Sequence, residues 1–300
     1  MAKKNEEVST VRRAKHGGIL TVIFAILSFL WIAPILIVLL NSFKRKAFIF
    51  THPFSLSCYS ITEGWDKFKA GITRAFCGWL NYSNGIRKTN FWECFGTSLF
   101  ITIGSVALII LCCSMCAWYI TRVHTKVTKT IYVLCLFSMI VPFQMVMFTL
   151  SKFANILHLS NPLGIIIVYL GFGAGLAVFM FTGFVKGISL EIEEAAMIDG
   201  CSPLQTFFKV VFPILKPTTV TVAILEAMWV WNDYLLPYLV LSSKYRTIPI
   251  AVQYLKQSHG QIDWGAMMAV LVLAILPIII FYIACQKYII EGVLAGAVKG

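Results

Sequence analysis

The sequence predicts an all-α integral membrane protein with six transmembrane helices, and three observations carry that prediction. Mean hydropathy is +0.82, 59% of the residues are hydrophobic, and only 13% are charged. A soluble chain carries about a quarter charged residues, so roughly half of the usual charge is missing. The apolar residues also gather into long runs, and a bilayer core takes about 20 of them per helix. Backbone polar groups in hydrocarbon must be satisfied within their own segment, which makes such runs helical.

Six runs qualify, approximately Ile19 to Leu40, Phe95 to Ile120, Lys129 to Leu150, Leu163 to Val185, Thr218 to Leu241 and Ala266 to Tyr288. The first contains Pro34, a kink that neighbouring helices can absorb. It is too long for a signal-peptide h-region, and no small-residue cleavage site follows it. In the fourth, Gly171, Gly173 and Gly175, with Gly183 and Gly187 at its end, give GxxxG spacings that suit close helix packing. The expected organisation is a cytoplasmic segment at 1–18, a six-span membrane body at 19–288 and a cytoplasmic tail at 289–300. An external loop at 42–94 and a structured loop at 186–217 fall within the body.

An even number of spans places both termini on one side. Lys3, Lys4, Arg12, Arg13 and Lys15 precede the first span and mark that side as cytoplasmic. Lys44, Arg45 and Lys46 beyond it pull the other way. The net charge of +12 does not indicate nucleic acid, because Lys and Arg sit at span ends and in loops without a basic face. External Lys67, Lys69, Arg74, Arg87 and Lys88 read as solvated. Most of the nine cysteines lie in apolar runs, where thiols behave as small apolar groups. Cys113 and Cys116 form a CxxC without a second ligand pair, so no metal is expected there. Spacing leaves a disulfide among Cys58, Cys77 and Cys94 open.

The loop between the fourth and fifth runs holds the strongest local signal. Ser189 suits a helix N-cap, and Glu191, Glu193 and Glu194 crowd the first turns, where carboxylates favour the positive end of the dipole. Asp199-Gly200 stops that helix, with Gly200 free to turn left-handed. Ser202, Pro203 and Gln205 then spell a second N-terminus with a capping box, and Pro213 and Pro217 are expected to end that segment. Ala195 and Ala196 offer a small-residue surface for another protein. The whole reads as a helix–turn–helix hairpin between two spans.

Glu194-Ala195-Ala196, Asp199-Gly200 and Phe212-Pro213 together resemble the EAA loop of binding-protein-dependent ABC importer permeases. Cys201 and Phe212 depart slightly from that family's usual residues. The resemblance implies that the loop is a coupling helix docking on a cytoplasmic ATPase, with Glu193, Glu194, Ala195, Ala196, Asp199, Gly200 and Pro213 as the contact set. Asn41-Ser42-Phe43-Lys44, Trp231 to Leu235 with Pro237, Asp263-Trp264-Gly265 and Leu276-Pro277 are similar to sugar permeases of the maltose type. The end from Gly292 to Gly300 resembles the smaller maltose-type subunit. It implies a tail (Gly296, Lys299, Gly300) reaching between two ATPase subunits.

No GxxxxGK[ST] phosphate loop occurs, so the chain is not expected to be an enzyme or to bind a cofactor itself. The resemblance places ATP and Mg on a partner ATPase dimer. It also implies a second permease subunit, an external sugar-binding protein and a bacterial cytoplasmic membrane. Polar and aromatic groups inside a span face the bundle interior by default. Glu226, Trp229, Trp231, Asn232, Asp233 and Tyr234 are therefore the expected substrate path, suited to a sugar's CH face and hydroxyl edges. The interfacial aromatic belt is the competing reading. The resemblance also implies that Tyr254, Gln257, Asp263 and Trp264 are binding-protein contacts. Three alternatives remain: an ABC permease for another solute, an ion-coupled carrier using Glu226 and Asp233, and a membrane enzyme. The carrier lacks a visible inverted repeat, and the enzyme lacks a nucleophile–base set.

Overall fold

The computed structural model describes residues 17–257 and 262–297. Among them the fold is helical, with a single isolated bridge between Lys44 and Phe76. The helices are α1 (Gly17–Ser42), α2 (Lys46–Thr51), α3 (Trp65–Ala75), α4 (Leu80–Thr89), α5 (Phe91–Arg122), α6 (Lys126–Ile140), α7 (Phe143–Ile156) and α8 (Pro162–Val185). After them come α9 (Leu190–Ile198), α10 (Pro203–Thr206), α11 (Phe212–Ile214), α12 (Lys216–Asn232), α13 (Leu235–Val240), α14 (Ile248–Gln257) and α15 (Trp264–Ala297).

Four helices (α1, α5, α8 and α15) are each long and apolar enough to cross a membrane. Two bent pairs bring the number to six if each makes one span: α6 with α7, bent 108°, and the 203–214 segment with α12, bent 77°. The expected unbroken helix from Lys129 to Leu150 is thus two helices. Pro142 is the cause, since a residue before proline is driven out of the helical region. Val141 is extended (φ −72°, ψ 116°). Pro34 and Pro277 stay inside continuous helices.

The expected fifth span also changes. It runs Lys216–Asn232 and stops well short of Leu241. Asp233 is extended (ψ 124°), and its Oδ1 accepts from the N–H groups of Leu235 and Leu236, at 3.0 and 3.4 Å, to start α13. Pro213 does not end the second hairpin helix either. A π-helical turn at Phe207–Val211 carries the Phe212 N–H to the Phe207 carbonyl. The chain passes Pro213 into α11 and bends only at Leu215.

The interior lies between α5 and α8, the most extensive helix pair. Ile109, Cys113, Ala117, Ala177, Val178 and Phe181 interlock there. Of the expected close-packing glycines, Gly173 and Gly175 pack closely. A Cβ on Gly173 would meet Ile109 Cδ1 at 2.6 Å, and one on Gly175 would meet the Cys135 carbonyl at 2.7 Å, whereas Gly171 and Gly183 face open space. GxxxG spacing thus overstates the contact, because only Gly175 of the 171–175 pair packs closely.

The 42–94 loop is an ordered layer of its own, made of α2, α3 and α4 around the end of α1. Asn81 donates to the carbonyls of Ser42 and Lys44, both at 2.8 Å. Asn41 donates to Pro53 O at 2.9 Å, and Ser42 shares a 2.8 Å hydrogen bond with Tyr82. Lys44 Nζ donates to His52 O at 2.8 Å, and burial lowers the Lys44 pKa. Cys58, Cys77 and Cys94 are all free thiols bonded to backbone carbonyls.

Candidate functional site

The hairpin at 189–206 forms as its local chemistry dictates. Ser189 Oγ accepts from the Glu191 N–H at 3.3 Å. At the other end of α9, the Gly200 N–H reaches Met197 O and the Cys201 N–H reaches Ala196 O, both at 3.0 Å. That pair of bonds is the Schellman motif, and it requires the left-handed turn that Gly200 adopts (φ +88°). Ser202 and Gln205 exchange both bonds of a capping box, with Pro203 in the first turn.

Helical phase then divides the expected ATPase-contact residues. Glu193 and Ala196, three apart, face inward and are buried, while Glu194, Ala195, Asp199 and Gly200 are exposed. Glu193 is 1% exposed. Its Oε1 accepts from Arg122 Nη2 at 2.6 Å and Nε at 3.0 Å, and its Oε2 accepts from Trp118 Nε1 at 2.9 Å. Trp118 and Arg122 are four apart on α5 and share a face. Arg122 Nη2 also donates to Ile188 O at 3.0 Å. The Trp118 ring lies 5.4 Å from that of Phe207, which is fully buried. Both legs of the hairpin are therefore anchored to the end of α5. Sequence reading missed Trp118 and Arg122, since a span-end arginine looks like a topological anchor. Pro213 lies in α11, behind the anchor.

Outside the anchor, α9 presents an apolar surface. Ile198 is 85% exposed, and Leu190, Ile192 and Met197 are exposed beside Glu194 and Ala195. A short helix with this much uncovered apolar side chain is suited to a partner.

The six expected path residues on the fifth span do not share one face. Glu226 is buried toward α8, where a Cβ on Gly173 would lie 2.9 Å from its Oε2. Trp231 is buried, donates to Ala274 O at 3.3 Å and meets the Phe95 ring edge-on. Asp233 Oδ2 accepts from Tyr169 at 3.0 Å, a partner absent from the expected set. Tyr234 stacks on Tyr238, with ring centroids 5.1 Å apart. Trp229 and Asn232 remain exposed on α12, together with Leu225 and Met228. Those four follow helical spacing (225, 228, 229, 232) and form one partly exposed stripe, with Trp229 edge-on to Tyr169 at 5.4 Å. An apolar cavity of about 520 Å³ opens beside it, lined in part by Leu99, Met228, Trp231, Pro277 and Ile278.

Of the expected binding-protein contacts, Tyr254 lies under the Arg246 guanidinium, 4.2 Å from the ring centroid. Gln257 is the last residue of α14. Asp263 pairs with Lys88 and caps α15 by accepting the Ala266 N–H at 3.2 Å. Burial pushes the Asp263 carboxyl up, but Lys88 and the Ala266 N–H outweigh it and hold it below its ordinary value. Trp264 meets Phe50 edge-on at 5.4 Å. Lys88 therefore carries an ion pair, and Arg74 donates to the Tyr59 hydroxyl at 2.8 Å, so neither is merely solvated. In the tail, Gly296 belongs to α15, while Lys299 and Gly300 lie outside the described residues. No group of three His, Cys, Asp or Glu that could hold a metal occurs among the described residues.

Comparison with known proteins places this architecture. Residues 109–294 match the family described as binding-protein-dependent transport system inner membrane component. The chain is 38% identical to the "Probable starch degradation products transport system permease protein AmyC" of Thermoanaerobacterium thermosulfurigenes, over 94% of this chain and 96% of that protein. It is 32% identical to the multiple sugar-binding transport system permease protein MsmG of Streptococcus mutans, over 94% of each. It is 30% identical to the melibiose/raffinose/stachyose import permease protein MelC of Bacillus subtilis, over 96% of this chain and 99% of that protein. The fold is also that of a solved bacterial ABC transporter involved in the import of the polysaccharide alginate, with TM-score 0.70, 21% identity, and 96% and 99% of the two chains covered. The chain belongs to the family of binding-protein-dependent transport system inner membrane components.

Proposed function

We propose that this chain is one permease half of an ATP-driven, binding-protein-dependent importer that carries a sugar or oligosaccharide across the bacterial cytoplasmic membrane. The observation that carries the reading is the anchored hairpin, which holds an exposed, apolar α9 at the end of the bundle. Six spans, with α6–α7 counted as one and α12 as another, put both termini and the hairpin in the cytoplasm. The ATPase dimer docks on Glu194, Ala195, Met197 and Ile198. Glu193 acts from beneath by holding α9 to α5, and Gly200 shapes the turn. ATP and Mg stay on the ATPase. Its closure moves the hairpin and α5 as one body, and rigid elements of this kind can rock between two packings.

On the opposite side, Tyr254 and the Asp263–Trp264 corner meet an external sugar-binding protein. Trp229 and Asn232 are the path residues, because their stripe on α12 is only partly covered by this chain and faces a second, different permease subunit. Trp231 and Asp233 serve instead to fix α12 and α13. A sugar is the favoured cargo because an aromatic face beside an amide matches its CH face and hydroxyls, and because the named relatives carry sugars.

The test is purification of the full chain with its copurifying subunits, then uptake in proteoliposomes loaded with ATP. Recovery of a P-loop ATPase and a second permease, with sugar uptake that needs the binding protein, is the expected result. Gly200→Val is expected to abolish uptake while the chain still inserts. A chain that purifies alone, or uptake driven by an ion gradient without ATP, overturns the reading.

A further inference from the structure

On the hairpin side of the bundle a cavity of about 490 Å³ opens where α5, α6 and α8 end or begin. Its lining includes His124, Lys126, Lys129 and Lys186, and no acidic residue. The start of α6 lies at the same place, with its positive dipole end. A second observation concerns Thr182, in the last turn of α8. Thr182 is 3% exposed and lines the cavity, and its hydroxyl has no hydrogen-bond partner. A buried hydroxyl without a partner is costly, and a χ1 turn that brings this shielded oxygen to the cavity wall would let a ligand oxygen remove that cost.

From this geometry we infer that the cavity binds the phosphate of an anionic phospholipid headgroup. The three lysines and His124 supply charge and donors, and Thr182, once its χ1 turns toward the cavity, donates its hydroxyl to a phosphate oxygen. Depth and surroundings select a lipid over free phosphate. The cavity sits at the last turns of two membrane-length helices, α5 and α8. Tyr132 lies half-buried in its wall, as interfacial tyrosines do. Basic pockets between span ends are a known form of anionic-lipid recognition. Lys186 is three residues from Ser189, so the bound headgroup adjoins the root of the hairpin.

The experiment uses the full chain with its copurifying subunits, in nanodiscs of phosphatidylcholine with or without phosphatidylglycerol. Lipid retained after detergent extraction is read by mass spectrometry, and thermal unfolding is read in parallel. Wild type is expected to retain phosphatidylglycerol selectively and to melt at a higher temperature in its presence. Lys129→Gln with Lys186→Gln is expected to lower retention roughly 25-fold, at about fivefold per lysine. Thr182→Ala keeps the fold in phosphatidylcholine and lowers retention. Lys67→Gln with Lys69→Gln, in the 42–94 loop, leaves retention unchanged. Equal retention by wild type and the Lys129/Lys186 variant overturns the inference. So does stabilisation by inorganic phosphate in phosphatidylcholine alone that matches phosphatidylglycerol, since the ligand is then the free ion. The readout needs no transport, so it stands apart from failure of the sugar-import reading.

Discussion

Two ion pairs, one at each end of the molecule, use the same chemistry to different ends. At the hairpin, Arg122 and Glu193 are 19% and 1% exposed at their side chains; in the outer layer, Lys88 and Asp263 are 47% and 31% exposed. The buried pair has every carboxylate oxygen matched to a donor and pins a hairpin to α5. The exposed pair joins α4 to the start of α15 under solvent screening. An exposed pair contributes roughly 0–1 kcal/mol, while removing one partner of a buried pair costs about 3–5 kcal/mol because the other charge is stranded. Solvent access, more than pairing, therefore sets what each pair does for the molecule.

Substitutions sharpen that contrast, and the largest effect falls on the hairpin. Glu193→Ala strands Arg122 and is expected to cost about 3–5 kcal/mol, read as a lower unfolding midpoint of the purified complex, with ATP-driven uptake lost. Pairing Glu193→Leu with Arg122→Met removes both charges and recovers most of the stability, since an apolar pair of like volume is often neutral. A Glu193→Ala variant as stable as wild type breaks the comparison.

Next comes the hub of the outer layer. Asn81→Ala leaves the Ser42 and Lys44 carbonyls short of donors, a loss of about 1–3 kcal/mol. Faster proteolysis of the 42–94 loop, with the hairpin unaffected, is the expected readout.

The smallest effect belongs to Lys88→Ala, below about 1 kcal/mol. Its pH dependence is informative. The folded Asp263 pKa is lowered, so the contribution of this carboxylate is present above the ordinary value of about 3.9 and fades as pH falls through the folded value. Wild type and Lys88→Ala should therefore converge in acid and differ slightly at neutral pH. A gap that widens in acid contradicts this assignment.

The same two regions show what was legible. The caps at Ser189, Gly200 and Ser202 link residues two to five apart, so their chemistry is complete in the local sequence and each forms as expected. Which of two adjacent glutamates faces inward was not legible. Glu193 turns inward because it meets Arg122, which is 71 positions away, and only packing fixes that helical phase. On the fifth span, Trp229 and Trp231 read alike, yet one is exposed and the other is locked to Ala274. Lys88 found its partner 175 positions away, beyond any local pattern.

The sequence by itself determined the membrane class, the apolar helices and the turn chemistry of the hairpin, because composition and short-range capping are intrinsic to the chain. The breaks at Pro142 and Asp233 went unread, although each acts only on its neighbours. Only the tertiary structure decided which polar side chains are structural and which stay available. That choice depends on the burial of each group and on which distant donors reach it, and both are properties of packed helices.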